Sequence, residues 1–304
     1  RLIGGLAWCE KEGPAGTVAN ALPFYGSYGE ALALPNLPDD AIILLYQTFL
    51  DGCRDRDVVA ATIITSPFAE RDRTEWHIES LSPDIIDNRL CQMTSLPDCR
   101  GLCRPEAEKR VLNVLRGSAR RAVRKARKEG VSVRPAASLD EVRIVANLHA
   151  DNIDGKGGLS KPLSFFRFAW QLQQAPTSQA VVLVAEWHGK IIGGVVMFET
   201  NDTLEYHTTG MDMEHSNTRP TNAIVFGAMV DGSIRGLRYI NFGGTWKTQE
   251  GIHRFKASFG AEDRDYQYLT WLFDPTLLHQ TAEQLAADYP GFFVVPYSAL
   301  DGTT

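Results

Sequence analysis

Residues 181–210 read VVLVAEWHGKIIGGVVMFETNDTLEYHTTG, and their pattern decides the fold. Three apolar, β-branched runs, Val181 to Trp187, Lys190 to Glu199 and Thr203 to Gly210, are joined by the dipeptides His188-Gly189 and Asn201-Asp202. Runs of that length rich in Val and Ile favour strands, and two-residue joins of these types favour tight antiparallel turns. The stretch therefore predicts a three-stranded meander.

Working outward, the upstream side predicts a strand over Val131 to Pro135, a helix over Leu139 to Asn152, a loop at Gly155-Lys156-Gly157-Gly158 and a helix over Pro162 to Gln174. Downstream come a helix over Asn222 to Gly236, a strand over Tyr239 to Phe242, a helical start near Ile252 and a strand over Tyr266 to Phe273. The first hundred residues predict a second α/β pattern: a strand over Leu2 to Glu10, an amphipathic helix over Asp39 to Arg54 and a buried strand over Val58 to Thr65. A helix over Glu106 to Glu129, with Leu115, Ala119, Ala122 and Ala126 on one stripe and Gly130 as its stop, joins the two patterns. The order of two helices, a meander, a helix and a diverging strand suggests the acetyltransferase superfamily topology. The expectation is an α/β (α+β) chain of two such domains, 1–104 and 105–274. The tail 275–304, helical over Leu277 to Asp288 with a short strand over Phe292 to Pro296, is left to complete the first.

At 304 residues the chain has room for two domains of ordinary size, and 44% hydrophobic with 22% charged residues is the composition of a globular protein. No stretch approaches the roughly 20 apolar residues of a membrane span, and the sequence opens at Arg1 with no basic leader before an apolar segment, as though inside a domain. Five cysteines, Cys9, Cys53, Cys91, Cys99 and Cys103, are an odd and sparse set that predicts reduced thiols in a cytoplasmic protein. Cys91, Cys99 and Cys103 with His77 lack the paired CxxC spacing of a zinc site, so no metal is expected. A monomer or weak oligomer is expected.

The net charge of −6 hides a concentration of the opposite sign. From Arg116 to Lys128 there are seven cations in thirteen positions, Arg116, Arg120, Arg121, Arg124, Lys125, Arg127 and Lys128, with no carboxylate between them. Helical spacing spreads them over the sides away from the alanine stripe. A solvated basic face and a phosphate-binding face both fit, the second because an anionic partner relieves the mutual repulsion. The stretch Leu22-Pro-Phe-Tyr-Gly-Ser-Tyr-Gly29 is either a turn packed by aromatics or a ligand-lining loop, in which Tyr25 and Tyr28 offer flat faces and hydroxyls.

Three motifs carry a family resemblance. Leu22 to Gly29, Ala119-Arg-Arg-Ala-Val-Arg-Lys-Ala-Arg-Lys-Glu-Gly-Val131, and Asn241-Phe-Gly-Gly244 followed by Gly251-Ile-His-Arg-Phe-Lys-Ala-Ser-Phe-Gly260 occur in the order seen in the FemABX family of aminoacyl and peptidyl transferases, which the chain resembles over nearly its whole length. The resemblance implies tandem acetyltransferase-like domains, an acyl-transfer centre in the second, aminoacyl-tRNA rather than acetyl-CoA as donor, and no cofactor or metal. It implies that the product is an amide on an amine of a peptide, a cell-wall precursor, as in peptidoglycan bridges, or a small metabolite. It assigns Lys256, with Phe255 as its packing partner, to the tRNA end or the tetrahedral intermediate; an exposed helix lysine is the plain alternative. Lys256 is expected in the first turns of a helix beginning near Ile252, where the dipole favours anions. It places Lys156 and Tyr206 near the acceptor pocket, against a flexible loop lysine and a half-buried strand tyrosine. It also turns Arg120, Arg121, Arg124, Lys125, Arg127 and Lys128 into candidate tRNA contacts.

Coenzyme A enzymes of this topology open the helix after the meander with a glycine-rich loop whose amides hold pyrophosphate. Here Met213-Glu-His-Ser-Asn-Thr-Arg-Pro-Thr-Asn222 has no glycine, and Pro220 removes an amide donor. Arg219 and Asn222 remain candidates for a phosphate or terminal ribose, Asn222 equally as a helix cap. No nucleophile–base set is evident, so the general base is left to substrate, water, Glu250 or Glu262. The rival functions are an acyl-CoA or carrier-thioester N-acyltransferase and a non-catalytic RNA binder.

Overall fold

The computed structural model describes residues 3–21, 28–34, 37–68, 71–155, 158, 160–245 and 249–301. In chain order the elements are β1 (Gly4–Gly5), β2 (Cys9–Gly13), β3 (Gly16–Ala21), β4 (Leu32–Ala33), α1 (Asp39–Arg54), β5 (Val58–Ile64), α2 (Arg71–Leu81) and β6 (Ile85–Ser95). Then follow α3 (Arg104–Val114), α4 (Gly117–Lys128), β7 (Ser132–Pro135), α5 (Leu139–Asp154), α6 (Leu163–Gln174), β8 (Ala180–Trp187), β9 (Lys190–Thr200) and β10 (Thr203–Met211). The last are α7 (Pro220–Arg235), β11 (Tyr239–Gly244), α8 (Glu250–Ser258), β12 (Glu262–Leu272) and α9 (Ala282–Asp288). They form two compact units, residues 1–90 with 264–304, and residues 91–263. These boundaries fall inside β6 and β12, where the sequence pattern places them at 104/105 and 274/275, because a strand shared between pairing partners carries no turn signal to mark a division.

In the unit 1–90 with 264–304, β3 pairs antiparallel with β2 and parallel with β5, which pairs antiparallel with β12. One face is covered by α1, whose Ile42, Tyr46, Phe49, Leu50 and Cys53 recur at helical spacing over Ala61, Ile63 and Trp271. The other is covered by the C-terminal segment, where Leu277, Leu285, Tyr289, Val294 and Val295 bury Val18 and Ala60. The Tyr289 hydroxyl donates to Gly16 O at 2.9 Å, and Asn20 Nδ2 donates to Phe293 O at 2.8 Å. The tail helix expected over Leu277 to Asp288 is split into a 3₁₀ turn, Pro275–His279, and α9, each capped by its own side chain, Asp274 and Thr281. Phe292 to Pro296 forms no strand; its valines fill the core without a ladder partner.

In the unit 91–263 the meander β8-β9-β10 forms as predicted, with His188 and Gly189 both at positive φ, 49° and 76°, in the first turn and Asn201 at 54° in the second. β7 adds to β8, and β11 runs parallel to β10 and antiparallel to the end of β6. Helices α3, α4 and α7 cover one face through Val111, Val123 and Met229; α5 and α6 cover the other through Val142, Val145 and Phe166. The helix expected over Glu106 to Glu129 is two helices. The chain is extended at Leu115 and Arg116, where the Leu115 side chain is buried and the Arg116 N–H donates to Ser258 O at 2.8 Å. A glycine pair seats α5: Gly194 and Gly210 face each other across β9 and β10, and a Cβ at either would lie within 2.5 Å of α5 atoms, Val145 Cγ2 and the His149 nitrogen.

Candidate functional site

Strands β10 and β11 pair only over Thr203 to Glu205 against Tyr239 to Asn241, and beyond that point they diverge. Every sheet edge opened in this way has backbone groups to satisfy. On β10 the helix α5 satisfies them. The His149 ring donates from Nδ1 to Thr209 O at 2.9 Å, and Asn152 accepts from Met211 N at 2.8 Å while donating to Met211 O at 2.9 Å. Because Thr209 O only accepts, His149 carries its proton on Nδ1, leaving Nε2 to accept the Lys161 N–H at 3.2 Å.

On β11 the satisfiers are Asn241 and Lys256. Gly243, at φ 68°, donates its N–H to Asn241 Oδ1 at 2.8 Å and receives the Lys256 ammonium on its carbonyl at 3.1 Å. Lys256 Nζ also donates to Gly244 O and to Thr245 Oγ1, both at 2.8 Å, and Thr245 Oγ1 donates to Gln92 Oε1 at 2.9 Å. Three N–H donors meet three acceptors, so the ammonium is fully engaged. The side chain is only 5% exposed, and burial pulls its pKa down to about 8, offset in part by the Cys91 thiol.

Glu205 sits at the apex of the gap, opposite Asn241. Burial raises its pKa to about 7, with the Asn241 amide acting in the other direction. Its neighbour His207 occupies a bulge in the β9–β10 ladder, stacked on Phe165 at 5.2 Å and edge-on to Phe198 at 5.3 Å. Burial and then the charge of Lys161 push His207 down to about 4, so its ring is neutral. Burial also lowers the Lys161 ammonium, which lies 5.9 Å from the Phe165 ring.

Several sequence-predicted residues gather here and others do not. Lys256 is near the gap, but in the last turn of α8 rather than the first: the helix starts at Glu250, and the C-terminal end of the dipole there favours its positive charge. Phe255 lies 5.2 Å from Phe259 on the core side of α8. Tyr206 points to the face opposite Glu205, its ring 5.5 Å from Phe242. Arg219 is exposed and in the left-handed region at φ 66°, and it, rather than Asn222, is the cap of α7; Asn222 is the third residue of that helix, since Pro220 sets its first turn. Tyr28 belongs to the other unit, edge-on to Tyr266. Tyr25 and Lys156 lie outside the described residues. Glu250 and Glu262 are exposed, and sequence reasoning passed over Glu205.

The cations of α4 lie away from its buried stripe of Ala119, Val123 and Ala126. Arg127 pairs with Glu108 of α3 at 2.8 Å and stacks on Phe226. Arg116, Arg120, Arg121, Arg124, Lys125 and Lys128 form no ion pair among the described residues. The cysteines are free thiols, Cys91 and Cys103 donating to Asn241 and Glu106. Among the described residues the side chains close enough to share an ion are Asp212, Glu214 and His215, where Asp212 is already bonded to Lys190 and His215. A cavity of about 370 Å³ is lined by apolar residues such as Val181, Leu183 and Met197 and by the charged Glu199, Asp231 and Arg235, and its lining includes neither Glu205 nor Lys256. No helix among the described residues is long and apolar enough to cross a membrane.

Residues 114–268 match the family described as acetyltransferase (GNAT) domain. No curated protein matches the chain. Among solved structures, FemX is similar at 13% identity and TM-score 0.68, covering 91% of this chain and 86% of its own. The C-terminal domain (DUF2156) of an Agrobacterium fabrum protein named as a lysylphosphatidylglycerol synthetase is similar at 12% identity and TM-score 0.60, covering 94% and 87%. A tandem GNAT protein from the clavulanic acid biosynthesis pathway follows at 14% and 0.51, covering 90% and 80%. At such identities the likeness is one of fold, and it agrees with the α/β, tandem acetyltransferase-like organisation expected from the meander and its flanks.

Proposed function

Since the chain belongs to the acetyltransferase (GNAT) domain family and is a GNAT-type acyltransferase, we propose that it moves an aminoacyl group from aminoacyl-tRNA to an amine acceptor, forming an amide. The observation that carries the tRNA part is the α4 face: Arg120, Arg121, Arg124, Lys125 and Lys128 form no ion pair among the described residues, five cations on one short helix of an otherwise acidic chain, with Arg116 at its cap. Such a face binds a polyanion by releasing its counterions.

The donor side of the gap supports the same choice. A coenzyme A thioester needs amides for its pyrophosphate and free strand backbone for its own amide-bearing arm. Here α7 opens on Arg219 and Pro220, and the β10 backbone at Thr209 and Met211 is taken by His149 and Asn152.

In the transfer, the amine nitrogen attacks the ester carbonyl, the C–N bond forms and the C–O bond to the tRNA ribose breaks. Glu205, with its pKa near 7, takes the proton lost by the attacking amine and returns it to the departing ribose oxygen. Lys256 holds the Gly243-Gly244 carbonyls that shape the gap. FemX and the lysylphosphatidylglycerol synthetase domain share this fold, and the acceptor class, a peptide, a nucleotide-linked precursor or a small metabolite, is set by the same gap.

The test is binding of purified protein to bulk aminoacylated tRNA and to acetyl-CoA over a salt series. Salt-dependent tRNA binding is expected, with Arg120, Arg124 and Lys128 all changed to Glu lowering affinity and reducing the slope of log K against log salt by about 2 to 3. Coenzyme A binding without tRNA binding would replace this function with a thioester-dependent transfer.

A further inference from the structure

We propose that Asn241 is a positioning residue for the transfer: its amide N–H orients the Glu205 carboxylate at the apex of the gap, and Cys91 and Gly243 lock the amide in that orientation. The inference rests on the assignment of Glu205 as the proton acceptor.

The orientation of Asn241 is fixed by its neighbours. Its Oδ1 receives the Gly243 N–H at 2.8 Å, and a backbone N–H has only a donor to offer, so the atom facing it is the oxygen. The Cys91 Sγ, 3.0 Å from the same oxygen, adds a second donor from β6. With Oδ1 doubly occupied, Nδ2 is the end of the amide that remains to act on Glu205, its partner in the β10–β11 register. Asn241 is 1% exposed and Cys91 is fully buried, so water cannot substitute for any of these bonds. The same amide thus serves two purposes: it aims the carboxylate and holds Gly243 in its left-handed turn from the side opposite Lys256.

A hydrogen bond given to the charged form of a carboxylate lowers its pKa. Burial raises Glu205, and the Asn241 amide keeps it near the working range of a general base. Among the described residues, the ionisable groups on the surrounding elements include Tyr206 and His207 on β10, Tyr239 on β11, His149 on α5, Lys161 on the α5–α6 connection, Cys91 on β6 and Lys256 on α8. None of them contributes to the shift of Glu205, which leaves the amide as its adjustable partner.

The experiment is a titration of the Glu205 carboxyl by NMR in full-length protein labelled at glutamate carboxyl carbons, the resonance being assigned by its loss in Glu205→Gln. Asn241→Leu, close in volume and unable to donate, is expected to raise the Glu205 pKa by about one pH unit or more. The acid limb of the pH–rate profile moves up with it, while Cys91→Ser, which keeps a donor to Oδ1, leaves both in place. If Asn241→Leu does not fold, Asn241→Ala carries the same test without added bulk. An unchanged Glu205 titration in the folded variant overturns the proposal. That outcome is separate from failure of the catalytic assignment, which would show as full activity in Glu205→Gln with the titration shift still present.

Discussion

Glu205 carries the sharpest expectations. If Glu205 is the base of the proposed transfer, Glu205→Gln should lower kcat by about 10²- to 10⁴-fold, measured by single-turnover transfer at pH 8. The same change should stabilise the fold. The folded pKa, about 7, lies above the ordinary glutamate value of 4.5, so the native state holds a proton that the unfolded state releases between those values. Stability contributed by this site is full below the unfolded pKa and falls as pH rises through about 7. Glu205→Gln is therefore expected to raise the unfolding free energy at pH 8 by at most about 3 kcal/mol, with the gain vanishing near pH 4.5; equal gains at both pH values would remove the linkage. Lys256→Met should cost about 1–3 kcal/mol by leaving the Gly243 and Gly244 carbonyls and the buried Thr245 hydroxyl without their donor, read from urea midpoints. The sequence makes Lys256 visible through its motif, while its bonds depend on a turn thirteen residues away. Glu205 is invisible because a glutamate in an alternating strand looks solvent-facing; its burial comes from elements remote in sequence.

Among the elements, those whose period and punctuation agree were legible: α1 and the three strands of the meander lie within a residue or two of their expected bounds. What escaped was decided by tertiary packing. The break at Leu115 and Arg116 has no proline, and it exists because Leu115 is drawn into the core and Arg116 binds the end of α8. The value of the α5 seat is testable at Gly210, where a Cβ would meet the His149 nitrogen at 2.5 Å. Gly210→Ala should cost about 1–3 kcal/mol and loosen the His149 and Asn152 bonds to β10, seen as faster amide exchange at Met211. Unaltered exchange there would mean that α5 is not held by that contact.

On the scale of the whole molecule, charge and topology act separately. Under the proposed function, a chain of net charge −6 with a concentration of cations on α4 should associate with tRNA at a rate that drops as salt rises, whereas its dissociation depends less on salt. The unit 1–90 with 264–304 closes on Tyr289, whose ring fills the space where a Gly13 Cβ would lie at 2.4 Å. Deleting residues 275–304 should expose Val18 and Ala60 and yield a protein that binds a hydrophobic dye and is cleaved early by protease, with cleavage beginning inside residues 1–90.

That interleaving of the chain also imposes an order on biosynthesis. As the polypeptide leaves the ribosome, residues 91–263 have every partner of their own unit once they have emerged, but β5 waits for β12, and Val18 and Ala60 wait for the final helix. Of the two units, the one whose synthesis starts earlier is finished later. For the time needed to translate more than 170 residues, the nascent amino-terminal segment presents an unpaired strand edge and apolar side chains, the kind of surface that chaperones hold.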